Sequence, residues 1–179
     1  LIVPVKSLGL LERILPTDIE SKVIITLRDQ SAFFHAGGKL LFTRLVEGRF
    51  PRYQDIIPDP NKANHRVFVS AGTLLSVIRQ AAITTNEESR GIDFTFSRGK
   101  LTLRSVAADV GSSRIEIPIE QSEAEIAVTL DPRFMGDFLK SLAPEKVVEI
   151  CMTDSESAVL MMADQVNYKY VVMPLSKDR

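Results

Sequence analysis

The alternation of apolar and polar residues restarts three times, near residues 2, 67 and 126. Each time it predicts a short apolar strand, an amphipathic helix and then three strands separated by tight turns. The helical segments are 4–15, 70–83 and 132–142, where apolar residues recur at three- and four-residue spacing. Between them the period drops to two. Strands are expected over 22–27, 32–36 and 40–46 in the first repeat, and over 92–96, 101–105 and 114–119 in the second. The third repeat carries 125–130, 147–152, 158–162 and 168–173. Turns fall at Arg28–Ser31, at Gly37-Gly38, at Ser97–Lys100 and at Asp154–Ser157. A self-similarity of this length marks a repeat architecture. The predicted class is α+β, with repeated β-α-β-β-β units and helices on one side of antiparallel sheets.

Residues 47–58 carry two prolines and no period and read as loop, and 59–66 are polar and read as a linker, so the chain is expected to break there. The predicted domains are 1–60, half of a domain, and 66–179, in which repeats two and three share one. The opening Leu1-Ile-Val-Pro4 begins inside a strand pattern without an initiator Met, and reads as the cut end of a longer chain.

Composition narrows the picture modestly. Apolar residues make up 45% and charged residues 25% of the 179, ordinary for a globular protein. No apolar run approaches the roughly 18 residues of a membrane-spanning helix. The single Cys151 excludes an internal disulfide and fits a reducing, cytoplasmic setting. Net charge is −1, yet each predicted helix carries +1, which leaves −4 for the remainder. Lys6 and Arg13 are seven apart, as are Arg133 and Lys140, so each pair shares a helical face, and Arg79 lies on the polar side of the second helix. Such a face is either ordinary solvated surface or a sequence-blind track for phosphates.

Catalytic chemistry is hard to build from these residues. His35 and His65 have no Cys, His or paired carboxylate at ligand spacing, and Gly37-Gly38 is not followed by Lys-Ser or Lys-Thr. Glu87-Glu88 reads as a solvated turn. No metal or cofactor is expected. A hydrolase using Asp154, Ser155 and His35 is the rival from another class, but its members fall in unrelated repeats. At the C-terminus, Tyr170-Val-Val-Met-Pro-Leu175 ends in an apolar tip before a polar tail; such a tip is either the last core strand or a docking site.

Four segments together resemble the bacterial replicative sliding clamp, the β subunit of DNA polymerase III: Val3-Pro4 with its helix, Glu47-Gly-Arg-Phe-Pro-Arg-Tyr53, Ala81-Ala-Ile-Thr-Thr-Asn-Glu87 with Arg90-Gly91, and Tyr170-Val-Val-Met-Pro174. In that family a chain holds three copies of a domain built from two such repeats. Two chains close head to tail into a ring around duplex DNA, with helices lining the hole. The resemblance implies a non-catalytic processivity factor whose partners are DNA, polymerase III subunits, the clamp loader and repair proteins, the proteins docking through short peptides. It also implies a chain lacking the first domain and the front of the second.

The implied peptide pocket comprises Pro51, Asp55, Ile56, Phe134, Ala158, Val171, Val172, Met173, Pro174 and Leu175. Here Asp55 stands where the family often has a basic residue, and Phe134 replaces a tyrosine. Ile83 and Thr84 match a hydrophobic dimer contact, while the family's acidic run is thin between Asp109 and Ile115. Lys6 and Arg13 match basic DNA-facing positions, and helical spacing adds Arg79, Arg133 and Lys140. The alternative function is a non-catalytic repeat scaffold that binds peptides but not DNA.

Overall fold

The computed structural model describes residues 1–18, 20–85, 91–120, 124–163 and 168–176; Glu87-Glu88, Arg90 and the tail Lys177–Arg179 lie outside these. The chain forms two bodies, Leu1–Tyr53 and Gln54–Arg179.

The N-terminal body holds helix α1 (Val5–Ile14) and an antiparallel sheet β1-β2-β3 (Ile24–Arg28, Ser31–Ala36, Lys39–Arg44). The β2–β3 hairpin turns through Gly37 and Gly38, both at positive φ (54° and 75°), a conformation two glycines adopt without steric cost. The period of two in β2 buries Ala32, Phe34 and Ala36. The strand expected near residue 2 is absent, and that segment contributes a single ladder-like bond, Val46 N–H to the Ile2 carbonyl at 2.8 Å. Helix α1 buries none of its residues, and every residue of β1 is exposed.

The C-terminal body explains why a first strand needs help. It contains β4 (His65–Ser70), α2 (Ala71–Ala82), β5 (Ile92–Ser97), β6 (Lys100–Ala107) and β7 (Gly111–Pro118) from repeat two. Repeat three supplies β8 (Ile126–Leu130), α3 (Pro132–Lys140), β9 (Val147–Met152), β10 (Val159–Ala163) and β11 (Tyr168–Val172). The two four-stranded sheets run β7-β6-β5-β8 and β11-β10-β9-β4. The first strand of each repeat has therefore crossed to the other repeat's meander, β4 pairing with β9 and β8 with β5. A first strand forms against a second meander, and the described residues of the N-terminal body contain only one.

Both helices start on a side-chain cap, Ser70 accepting from Thr73 N–H and Asp131 from Arg133 N–H, with Pro132 in the first turn of α3. They pack on each other over one core that draws on both sheets, including Phe94, Phe96, Leu101, Leu103, Met135, Phe138 and Ile150. Strand β10 is buried on both faces. Val159, Met161 and Ala163 face the main core, while Leu160 and Met162 join Cys151 in a second cluster covered by Ile57, Ala63 and Val171. That cover corrects the reading of 59–66 as a linker: 54–65 belongs to the C-terminal body, Asn64 Nδ2 bonds the Thr153 carbonyl at 2.8 Å, and His65 and Arg66 already lie in β4. Apolar anchoring outweighed the polar composition of the segment.

Candidate peptide pocket and nucleic-acid face

Beyond Val172 the chain leaves its sheet and crosses to the free edge of β8, where Leu175 N–H donates to the Thr129 carbonyl at 2.8 Å. Pro174 and Leu175 then wall a cleft of about 600 Å³ whose other sides are Ala127 and Thr129 of β8, Ser155 and Glu156 of the β9–β10 turn, and Ser176. Of the ten pocket residues expected from sequence, the structure brings Pro174 and Leu175 to this cleft. Met173 is 60% exposed beside it. Val171 packs on the second cluster, and Val172 is only 5% exposed in the main core, where it backs the strand rather than presenting a surface. Phe134 is half exposed on the first turn of α3, Ile56 is exposed, Asp55 ends a 3-10 turn over Tyr53–Asp55 and Ala158 is half-buried just before β10. Pro51 belongs to the N-terminal body and is exposed there.

Ala127, Thr129 and Glu156 escaped the sequence reading. The only available signal was the outward phase of β8, whose 127 and 129 positions alternate with buried Ile126, Val128 and Leu130.

Asp154 serves the turn beneath the cleft. It accepts from Glu156 N–H at 2.9 Å, Ser157 N–H at 2.6 Å and the Ser157 hydroxyl at 2.8 Å. These bonds, the hydroxyl's foremost, hold its carboxyl below the usual range, which suits a structural acceptor and not a general base. Among the described residues no group of three His, Cys, Asp or Glu could hold a metal ion.

The cations divide into two kinds. Lys6 and Arg13 on α1 and Arg79 on α2 are exposed and form no ion pair with another described residue. Arg133 instead forks onto its own helix cap, its guanidinium reaching Asp131 Oδ2 at 2.6 Å while Asp131 is 3% exposed. Lys140 lies 3.7 Å from Asp137 on the same helix. Spacing placed both on one face, but the neighbouring carboxylates screen them.

At the end of α2, Ile83 is 73% exposed. Thr84 turns inward, its hydroxyl 2.6 Å from Ser105 Oγ and 3.2 Å from the Ala81 carbonyl. Strand β7 forms one edge of its sheet and carries Arg114 and Glu116, joined at 2.7 Å, with Lys100 3.3 Å from the same carboxylate.

Cys151 sits below Arg66 and Glu149, where Arg66 Nε donates to Glu149 Oε1 at 2.6 Å and the thiol faces that carboxylate oxygen at 3.6 Å. Burial first, and the carboxylate second, push the thiol up to about 11. Because the thiolate is the reactive form, Cys151 is expected to resist iodoacetamide at pH 8 in the folded protein and to alkylate fully in denaturant. Mass spectrometry of the two samples checks this, and rapid native alkylation would contradict the burial argument.

Residues 55–176 match the family described as DNA polymerase III beta subunit, C-terminal domain. Proteins named beta sliding clamp from Chlamydia muridarum and Pseudomonas putida are 26% and 28% identical to this chain over 175 residues, covering 97% of it and 46% and 47% of their own lengths. The crystal structure of the DNA polymerase III subunit beta from Pseudomonas aeruginosa superposes with a TM-score of 0.89 at 27% identity, over 97% of this chain and 47% of that one. A further structure of a sliding clamp from that organism, bound to griselimycin, gives the same score and identity. The chain spans about half the length of the curated relatives it matches. With two thirds of its residues inside the family's match and its strand-exchanged fold shared with solved members, the chain belongs to the DNA polymerase III beta subunit family.

Proposed function

We propose that this chain is part of a DNA polymerase processivity clamp, a non-catalytic protein that closes head to tail into a dimeric ring around duplex DNA. In the cytoplasm it would tether the polymerase, the clamp loader and repair proteins through short peptides. The observation that carries this is the apolar strap Met173–Leu175, held open to solvent over a cleft instead of folded into the core. On this reading the C-terminal body, expected from sequence at 66–179, is the complete C-terminal clamp domain, and the N-terminal body, expected at 1–60, is the rear half of the middle one. The exposed β1 edge and the unburied α1 support that assignment, since the equivalent elements of repeats two and three bury theirs against each other. Ile83 is the apolar contact offered across the ring-closing interface, with Thr84 shaping it from behind.

Encirclement removes any need for tight phosphate contacts, because tethering raises local concentration by itself. Of the five cations expected from sequence, Lys6, Arg13 and Arg79 pair with no other described residue and are offered to DNA; Arg133 and Lys140 would contribute only by leaving their carboxylates. Each phosphate contact steepens the log–log dependence of affinity on salt by about 0.9. Changing Lys6, Arg13 and Arg79 to alanine in the full-length protein is therefore expected to flatten that slope by roughly 2.7, as read by retention of labelled duplex DNA across a salt series. The screening of Arg133 and Lys140 favours the second reading, a peptide-binding scaffold that ignores DNA. No retention of duplex DNA at any salt, with or without the three substitutions, would select it.

A further inference from the structure

Thr129 is held at three points. Its carbonyl accepts from Leu175 N–H at 2.8 Å, and its hydroxyl donates to Asp93 Oδ1 at 2.6 Å, directly across the β5–β8 pair. Its methyl, with the Leu175 side chain, occupies the space beside Gly91: a Cβ built there would stand 2.5 Å from Thr129 Cγ2 and 3.2 Å from Leu175 Cδ1. A β-branched side chain has few χ1 choices, and a hydroxyl bonded to a carboxylate makes a short, strong hydrogen bond. Asp93 thus selects the Thr129 rotamer that lays the methyl against Gly91, beside the Leu175 side chain of the strap.

The internal repeat shows what is particular about this arrangement. Phe68 stands two residues before the cap of α2, as Thr129 stands two before the cap of α3, and Phe68 makes an isolated antiparallel bridge to Glu120, just past the end of β7. Both repeats close an exchanged first strand with the segment that follows a last strand. Repeat two does so beside a phenylalanine; repeat three uses a hydroxyl locked to a carboxylate, and does so at the cleft.

We infer that Thr129 and Asp93 are positioning residues for peptide docking: the Asp93-held threonine fixes the edge of β8 on which the Pro174–Leu175 wall hangs, and so sets the shape of the pocket. This rests on the docking reading given above, and the two are separable by experiment.

Thr129→Val removes the hydroxyl and keeps the branched shape, whereas Thr129→Ser keeps the hydroxyl. In Thr129→Val and in Asp93→Ala, the Leu175 amide is expected to exchange about tenfold faster, the size of one lost hydrogen bond, while the buried amides of β6 exchange as before. Labelled griselimycin, used as the probe, is expected to bind several-fold more weakly to both variants. Thr129→Ser should restore both readouts, and the double variant should be no worse than either single one. Unchanged Leu175 exchange in both variants would overturn the anchoring, and faster exchange with unchanged affinity would overturn its role in docking. Should griselimycin bind a Met173, Pro174 and Leu175 alanine variant as tightly as the unaltered chain, the docking reading itself fails, while Leu175 exchange still decides the anchor.

Discussion

Alanine at Met173, Pro174 and Leu175 together is expected to weaken binding of a labelled docking peptide from a polymerase subunit at least 100-fold while leaving the fold intact. Met173 is exposed, and Pro174 and Leu175 are half-buried at the cleft; none of the three belongs to either core cluster. Apolar anchors in a docking pocket each contribute on the order of 1–2 kcal/mol, so three of them account for a loss of this size. The bond that ties the strap to β8 runs through the Leu175 backbone and survives the side-chain change, although alanine at 174 also frees the backbone torsion that proline restricts. Anisotropy titrations of the variant and the unaltered chain, each with a thermal melt, measure both halves of the prediction. Affinity retained within threefold would remove the strap from the binding site. A melt lowered by more than a few degrees would mean that the strap is structural.

The second large effect concerns stability. Phe138→Ala is expected to cost about 3–5 kcal/mol, the usual range for deleting a fully buried aromatic side chain. Phe138 is 1% exposed on α3, and its ring lies 5.1 Å from Tyr168 and 5.2 Å from Tyr170. It joins α3 to the last strand, β11, so the cavity would open where the two meet. Since a domain of this kind is stable by only about 5–15 kcal/mol, the urea midpoint should fall steeply. Phe134→Ala, one turn earlier on the same helix, is the internal control: half exposed, it should cost no more than about 0.5 kcal/mol. Equal losses at the two positions would show that exposure does not separate the two faces of α3.

Binding divides these phenylalanines the other way. Phe134 was assigned to the peptide pocket by resemblance, and in the structure it is exposed without lining the cleft below Pro174 and Leu175. Its substitution therefore also reports whether a docking peptide extends beyond that cleft onto α3.

Much of this arrangement was legible before any coordinates. The period of two over 92–96 and 101–105 read as strands, and in β5 and β6 that period buries Phe94, Phe96, Leu101 and Leu103. The continuous run of β10 read as a strand and proved to be buried on both sides, as such runs are when both faces are covered. The strand near residue 2 misled for a physical reason: its apolar pattern matches β4 and β8, but those become strands by pairing with another repeat's meander. The linker at 59–66 misled because composition does not reveal that Ile57 and Ala63 have apolar surface to cover.

What the sequence determined alone is what neighbours along the chain decide. Side chains two apart in strands, or three and four apart in helices, share a face, so the triplicate helix followed by three strands, the helical stripes and the sites of the hairpins follow from local chemistry. The tertiary structure decided what depends on residues far apart. It sent β4 to β9 and β8 to β5, and put Thr129 between Asp93 and the Leu175 amide. No local pattern distinguishes one exposed strand edge from another; the choice is made when the shared core of α2 and α3 closes and brings each edge to the segment that fits it.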